Sequence, residues 1–273
     1  MTGISDNRNQ KIIIRLKGGL GNQLFIYSFG LFLKKKLKAE LSFDHISGYI
    51  NNKYKHLQTT KPQLDLFFDS IRYEKLVEQP YLFLARKSMT PNLEYINEDH
   101  QNLNNFSFVK SKNYYLEGYF QNFKYVEPFI ESFRESIVKL QNQVIENFKN
   151  TVKINNSVGF HVRVNDYGVE TNIEYLNNAY NFFTEKKIEI IYLFTDNIDW
   201  CTKNLSFFKS VKVINTGSDL DDFLLLSILE NHSLTIGTYG WWAAIIKQKG
   251  LTVASQKMRT EFPNMYPKSW IYI

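Results

Sequence analysis

Lys11-Ile12-Ile13-Ile14-Arg15-Leu16-Lys17-Gly18-Gly19-Leu20-Gly21-Asn22-Gln23-Leu24-Phe25 is the stretch on which the fold turns. Its apolar, β-branched run at residues 12–16 reads as a short strand, its glycines as a sharp turn, and the apolar residues 24–37 that follow as a long helix. Strand, glycine turn and helix make the opening of an α/β unit. The second half of the chain repeats that alternation. Residues 157–162, 188–195, 211–214, 234–237 and 252–255 read as strands, and 173–186, 222–230 and 241–249 as helices. Strands alternating with helices at this spacing predict open, mostly parallel sheets covered on both faces. Between the halves, residues 40–43 and 114–119 read as strands. Residues 122–149 read as a helix with Phe129, Phe133, Ile137, Leu140, Val144 and Phe148 on one face. Residues 44–61 read as a surface loop, and 61–110 show no assignable period. The polar stretch 150–156 is the predicted boundary, giving two Rossmann-like domains, 1–150 and 151–273, with a cleft between them.

Composition narrows the classes. A chain of 273 residues with 44% hydrophobic content can bury a large core, which excludes disorder. Its apolar runs stay well short of the ~20 residues that a membrane-spanning helix needs. Residues 1–11 lack the apolar stretch of a secretory signal, and Cys201 is the only cysteine, which suits a reducing cytoplasm. Lys and Arg exceed Asp and Glu by 33 to 27, a balance that favours an anionic ligand. These basic residues are not interleaved with a nucleic-acid motif. Lys34, Lys35, Lys36 and Lys38 form the one cationic cluster, read as a helix end, with a patch for a membrane surface (peripheral membrane association) or a nucleic acid as the other reading.

Ligands of open α/β sheets sit beyond the carboxyl ends of the strands, and four such places stand out. At Lys17 to Gln23 the glycines allow close backbone approach and the helix start offers unpaired amides. A phosphate site and a plain structural turn both fit, and neither the P-loop nor the GxGxxG spacing is present. At Gly159-Phe160-His161-Val162-Arg163-Val164-Asn165-Asp166-Tyr167, alternation places His161 and Arg163 on one side. Arg163 is a planar donor fitted to phosphate oxygens, and the plain alternative is a pair with a carboxylate such as Asp166. At Thr195-Asp196-Asn197, Asp196 reads equally as an acceptor for a nucleobase edge and as the N-cap of the next helix. At Ile236-Gly237-Thr238-Tyr239-Gly240-Trp241-Trp242, a strand runs into a helix start with amide donors and a hydroxyl. Asp219, Asp221 and Asp222 have Asp-x-Asp spacing, but an apolar helix follows at once, so acidic residues at a helix start explain them without a metal.

Taken in order, these blocks resemble the α-1,2-fucosyltransferases, glycosyltransferase family 11. Gly18-Gly19-Leu20-Gly21-Asn22-Gln23-Leu24-Phe25 resembles the family's opening motif, and Tyr115-Leu116-Glu117-Gly118-Tyr119-Phe120-Gln121 its middle block. His161-Val162-Arg163 with Asp166-Tyr167 is similar to the His-Val-Arg-Arg-Gly-Asp-Tyr signature, and residues 231–244 resemble the final block. Val164 stands where the signature has its second Arg, and Asn165 where it has Gly. The resemblance implies a GT-B-type fold, donor binding mainly by the C-terminal half, an acceptor-side N-terminal half, inversion at the fucose carbon and no metal. It implies GDP-fucose as donor and an oligosaccharide or glycolipid-linked glycan as acceptor. Arg163 is the residue that the family uses on the donor diphosphate. Around it, Gly19, Gly21, Asn22, Gln23, His161, Asn165, Thr195, Asp196, Thr238, Tyr239, Gly240 and Trp241 are expected at the donor, with Asp196 on the guanine. Asp166 and Glu170 are the candidate bases for the acceptor hydroxyl. Two other readings stand beside this one: the same fold with another sugar nucleotide, and a binding module without catalysis.

Overall fold

The isoleucine run forms β1 (Lys11–Arg15), with Ile12, Ile13 and Ile14 all buried, as a strand inside a two-faced parallel sheet must be. A computed structural model of the chain describes residues 10–50, 62–101, 103, 106–165, 173–247 and 249–273. Two units build it, Met1–Pro128 and Phe129–Ile273.

In the first unit, β1 leads to α1 (Leu20–Leu37) and then to β2 (Glu40–Asp44), followed by a single turn, α2 (Ser47–Ile50). Next come α3 (Gln79–Arg86), β3 (Glu94–Asn97), β4 (Tyr114–Glu117) and α4 (Phe123–Val126). The strands pair in parallel in the order β2-β1-β4-β3. Helix α1 begins earlier than the apolar run, within the glycine turn itself: Gly19 is its N-cap, and Gly18 before it takes a φ of 77° that a side chain would strain. Lys34, Lys35 and Lys36 fill its last turn, the helix-end placement that the negative dipole end favours.

The second unit runs α5 (Ile130–Phe148), β5 (Ser157–Val162), α6 (Ile173–Glu185), β6 (Ile190–Thr195), α7 (Ile198–Asn204), β7 (Val211–Val213) and α8 (Asp219–Ile228). It ends with β8 (Asn231–Leu234), α9 (Thr238–Ile246), β9 (Thr252–Ala254), α10 (Gln256–Glu261) and β10 (Ile271–Tyr272). Its six parallel strands lie in the order β10-β9-β8-β5-β6-β7. The chain therefore works outward from β5 to β7, then returns to the other side of β5 through β8. Between β5 and β8 lies a topological switch point, the place where such sheets bind ligands.

Three expectations are corrected. The division falls after Pro128, not at residues 150–156. Phe133, Ile137 and Val144 of α5 are buried, and this helix packs on α8 and α9 of the second unit. Each such side chain gains about 1.5–3 kcal/mol from burial, which ties α5 to the unit that follows it. Second, the helix expected over 122–149 is two: Asn122 caps the short α4, and a 3-10 turn carrying Pro128 separates it from α5. Third, β8 lies three residues earlier than expected, and α9 likewise. Residues 61–110, without period in the sequence, hold α3 and β3. Among the described residues no helix is long and apolar enough to cross a membrane.

Candidate functional site

At the switch point of the second unit, β5 delivers His161 and then Arg163, while β8 leads through Thr235 to α9. Thr235 ties the two strand ends together. Its amide and hydroxyl donate to the His161 carbonyl, each at 3.1 Å, and its Oγ1 accepts the Arg163 amide at 3.0 Å. Gly237 is the N-cap of α9, so the backbone N–H groups of the first turn have no partner within the helix. The positive end of the dipole adds to them, and the pair makes an anion-accepting helix start.

His161 is buried, and its ring stacks on Tyr239 with centroids 5.4 Å apart. Burial, reinforced by the charge of Arg163, pushes its pKa down to about 3, so the ring is neutral at physiological pH. Its Nδ1 has no hydrogen-bond partner among the described residues, and a buried polar atom of this kind calls for one. The ring lies so close to α9 that a Cβ at Gly240 would come within 2.7 Å of Nδ1 and 2.8 Å of Cγ. Gly240 is therefore a close-approach glycine, and its lack of a side chain lets the ring sit there.

Arg163 lies just past β5, and its Nε donates to Asp196 Oδ2 at 3.1 Å. The same carboxylate accepts the amides of Val164 at 2.8 Å and Asn165 at 3.2 Å. Asn165 continues the clamp: its Nδ2 donates to the Asp196 carbonyl at 2.8 Å, and its Oδ1 accepts from Asn197 at 2.9 Å. Asp196 is thus neither of the things the sequence suggests. Asn197 caps α7, accepting the Trp200 amide, and the Asp196 carboxylate is committed to Arg163 and the β5 terminus rather than presented to a base edge. The charge of Arg163 reaches Asp219 and Tyr239 as well. Burial and Asp222 raise the Asp219 carboxyl above its usual range, against the pull of that guanidinium. Tyr239 donates its hydroxyl to the Asp219 carbonyl at 2.5 Å.

The remaining expected residues divide. Tyr239, Thr238 and Gly240 fall in the first turn of α9. Trp241 does not join the site: it is 1% exposed and packs against Trp242 and Trp270. Thr195 closes β6, where its Oγ1 accepts from the Asn197 amide and from Cys201 Sγ. Val164, in the place of the signature's second Arg, is buried in the core of this unit. Asp219, Asp221 and Asp222 occupy the first turn of α8 behind the cap Ser218. Asp166 and Glu170 lie outside the described residues.

In the first unit, Gly19, Gly21 and Asn22 stand at the amide-rich start of α1. Gln23 is fully buried and holds that turn from behind, donating to the Gly18 carbonyl at 3.0 Å and accepting the Gln63 amide at 2.8 Å. The Asn22 side chain accepts from Gln121 at 3.0 Å. A second polar cluster here escapes the sequence reading. Arg15, the last residue of β1, pairs with Glu117, the last of β4, and donates to the Ser47 hydroxyl at 2.9 Å and carbonyl at 2.7 Å. Burial opposes ionisation of Asp44 at the end of β2, but bonds from Ser47, Tyr115 and Gln79 outweigh it and hold the carboxyl below its usual range. Arg15, Ser47, Gln79, Leu82, Phe83, Arg86 and Tyr115 line a cavity of about 310 Å³. The strand-end rule, applied to Arg15 and Asp44 as it was to Arg163, would have found it.

The family model for Glycosyl transferase family 11 matches residues 4–273. An Escherichia coli α-1,2-colitosyltransferase is 25% identical, covering 96% of this chain and 98% of its own. The E. coli O-antigen biosynthesis glycosyltransferase WbnK is 24% identical over 84% of this chain and 88% of its own. Bovine galactoside α-(1,2)-fucosyltransferase 2 is 32% identical over a shorter stretch, 37% of this chain. In fold, the chain is similar to Arabidopsis thaliana FUT1 in complex with GDP, at TM-score 0.55 and 12% identity over 99% of this chain and 77% of that one. It is likewise similar to the Bradyrhizobium fucosyltransferase NodZ, at TM-score 0.53 and 12% identity over 88% and 94%.

Proposed function

Because the chain belongs to glycosyltransferase family 11, we propose that it transfers L-fucose from GDP-fucose to a galactoside hydroxyl, forming a 1,2-linkage with inversion in the cytoplasmic synthesis of a surface glycan. The observation that carries this reading is the pairing of Arg163 at the end of β5 with the start of α9 at the switch point of the second unit. When the bond between sugar and diphosphate breaks, the electron pair leaves with GDP, and the charge develops on its phosphate oxygens. Arg163 and the first-turn amides at Thr238, Tyr239 and Gly240 are assigned to that charge; one such preorganised donor is typically worth about 3 kcal/mol in the transition state. Asp196 and Asn165 hold the guanidinium in place. Neutral His161, with its buried Nδ1 unpartnered among the described residues, is assigned to orient the diphosphate or the sugar. The acceptor oxygen attacks the opposite face of the sugar carbon and gives up its proton, for which Asp166 and Glu170 remain the proposed bases. Gly19, Gly21 and Asn22 are assigned as a further anion-accepting helix start, with Gln23 behind them. The glycan acceptor is assigned to the first unit. Protein cations and amides carry the leaving-group charge in this scheme, so a chelator should leave the rate unchanged.

Similarity to a colitosyltransferase along nearly the whole chain supports a second reading, in which the sugar transferred is colitose, from its own nucleotide donor. One assay separates the readings: nucleotide release from GDP-fucose, nucleotide-linked colitose and UDP-sugars, each with and without simple galactosides. The proposal expects acceptor-dependent release from GDP-fucose. Release from the colitose donor alone would transfer the assignment to the second reading, and no release from any donor would mark a binding module.

A further inference from the structure

Helix α3 of the first unit wears its apolar side outward. Its inner face is accounted for by Leu82 and Ala85, which pack with Ile13, Leu93 and Tyr115. A surface helix ordinarily turns polar residues to the other side. Here Val77, Pro80, Tyr81 and Leu84 follow one another at the i, i+3, i+4, i+7 spacing of a single helical stripe, running from the preceding 3-10 turn into α3, and all four are exposed. Leu76, Phe83 and Met89 extend the patch. Of the fourteen exposed large apolar side chains among the described residues, six fall within residues 76–89, a concentration that scattered surface apolar residues do not show.

Cations frame this stripe. Lys75 precedes it and Lys87 follows it, both exposed and neither in a salt bridge with a described residue; Glu78 is the one acid between them. Two copies meeting through this face would lay cations against cations, whether the helices ran parallel or antiparallel. An anionic lipid surface accepts both the apolar stripe and its charged frame, with the long basic side chains reaching back to the headgroups. We infer that residues 75–89 form a membrane-docking surface for anionic bilayers, in which α3 lies in the plane of the headgroups. Phe83 and Arg86 also line the cavity of the first unit, so a docked bilayer would border it. The inference rests on this surface alone and not on the choice of donor.

Cosedimentation with large vesicles of phosphatidylcholine, alone or mixed with phosphatidylglycerol, tests it on the full chain. The wild type should pellet with the mixed vesicles and at least about ten-fold less with the neutral ones, the difference shrinking as salt screens it. Val77→Ser with Leu84→Ser should weaken binding to mixed vesicles by about ten-fold or more. Lys75→Gln with Lys87→Gln should lower it toward the neutral-vesicle value. Both variants alter exposed side chains, so unfolding midpoints should stay at the wild-type value. Failure of the wild type to pellet with either vesicle would overturn the inference, whatever the variants do. So would binding undiminished in Val77→Ser/Leu84→Ser, or a wild-type dimer which that variant dissolves.

Discussion

Gly240→Ala sets two effects of opposite sign against each other. Gly240 is the third residue of α9, and replacing glycine by alanine in a helix stabilises by at most about 1 kcal/mol. Against that, the new methyl would meet His161 at 2.7 Å from Nδ1, 2.8 Å from Cγ and 3.0 Å from Cβ. The obstacle is not the loose end of a flexible chain: the ring is buried and stacked on Tyr239. Overpacking of this kind costs about 1–3 kcal/mol, so the clash should win and leave a net loss of about 1–2 kcal/mol. Opening the contact to an ordinary van der Waals distance moves the ring by several tenths of an ångström, and misplacement on that scale lowers turnover by about ten-fold. Urea unfolding and the rate of GDP release read the two losses separately. A variant stabilised by the helix-propensity gain, with turnover unchanged, would show that His161 yields freely and that its fixed position plays no part.

Asp196→Asn keeps the shape of the Arg163 clamp and removes its charge. An amide can accept the Val164 N–H only by turning its own donor toward Arg163 or Asn165. With a charged hydrogen bond worth about 1.5–3 kcal/mol, the variant should unfold about 2 kcal/mol more easily and bind GDP more weakly, by denaturation and calorimetry respectively. Lys247 is buried, its Nζ has no described hydrogen-bond partner, and burial pushes its pKa down to about 7 despite the attraction of Glu230. Because the folded pKa lies below the unfolded one, stability tied to this group falls as pH drops from the unfolded value toward 7 and then levels off. Lys247→Met should therefore stabilise the chain by about 1–3 kcal/mol at pH 6. That gain should fade as pH rises through 9, and a gain independent of pH would assign the effect to packing instead.

Much of this architecture is written in the order of apolar runs and glycines. The blocks that resemble a transferase family each run to or past a strand end, where the open-sheet rule directs attention. What stayed hidden has physical causes. Strand β8 sits in the middle of its sheet, yet reads Asn231-His232-Ser233. Its polar side chains find specific partners, though His232 Nδ1 has none among the described residues: Asn231 meets the Ser157 carbonyl and the Leu251 amide, His232 Nε2 the Leu226 carbonyl, and Ser233 the Tyr175 hydroxyl. Such satisfaction comes from distant segments and leaves no periodic trace, so the strand was displaced toward Leu234 and its apolar neighbours. Asp196 and Asn197 are adjacent residues that both suit a helix cap, and only the strand-end amides of Val164 and Asn165 decide which one clamps and which one caps. Helix α3 was illegible for the opposite reason. Its contrast is inverted: Tyr81 and Leu84 face outward while Gln79 and Arg86 line the cavity, and eight residues are too few to show a period.

The central claim is that Arg163 holds the diphosphate, and titration calorimetry of GDP and guanosine against the wild type and Arg163→Ala tests it most directly. A bidentate charged contact supplies several kcal/mol, so GDP affinity should fall by about a hundred-fold or more while guanosine binds both proteins alike. Equal GDP affinity in the two proteins would place the phosphates elsewhere and contradict the claim.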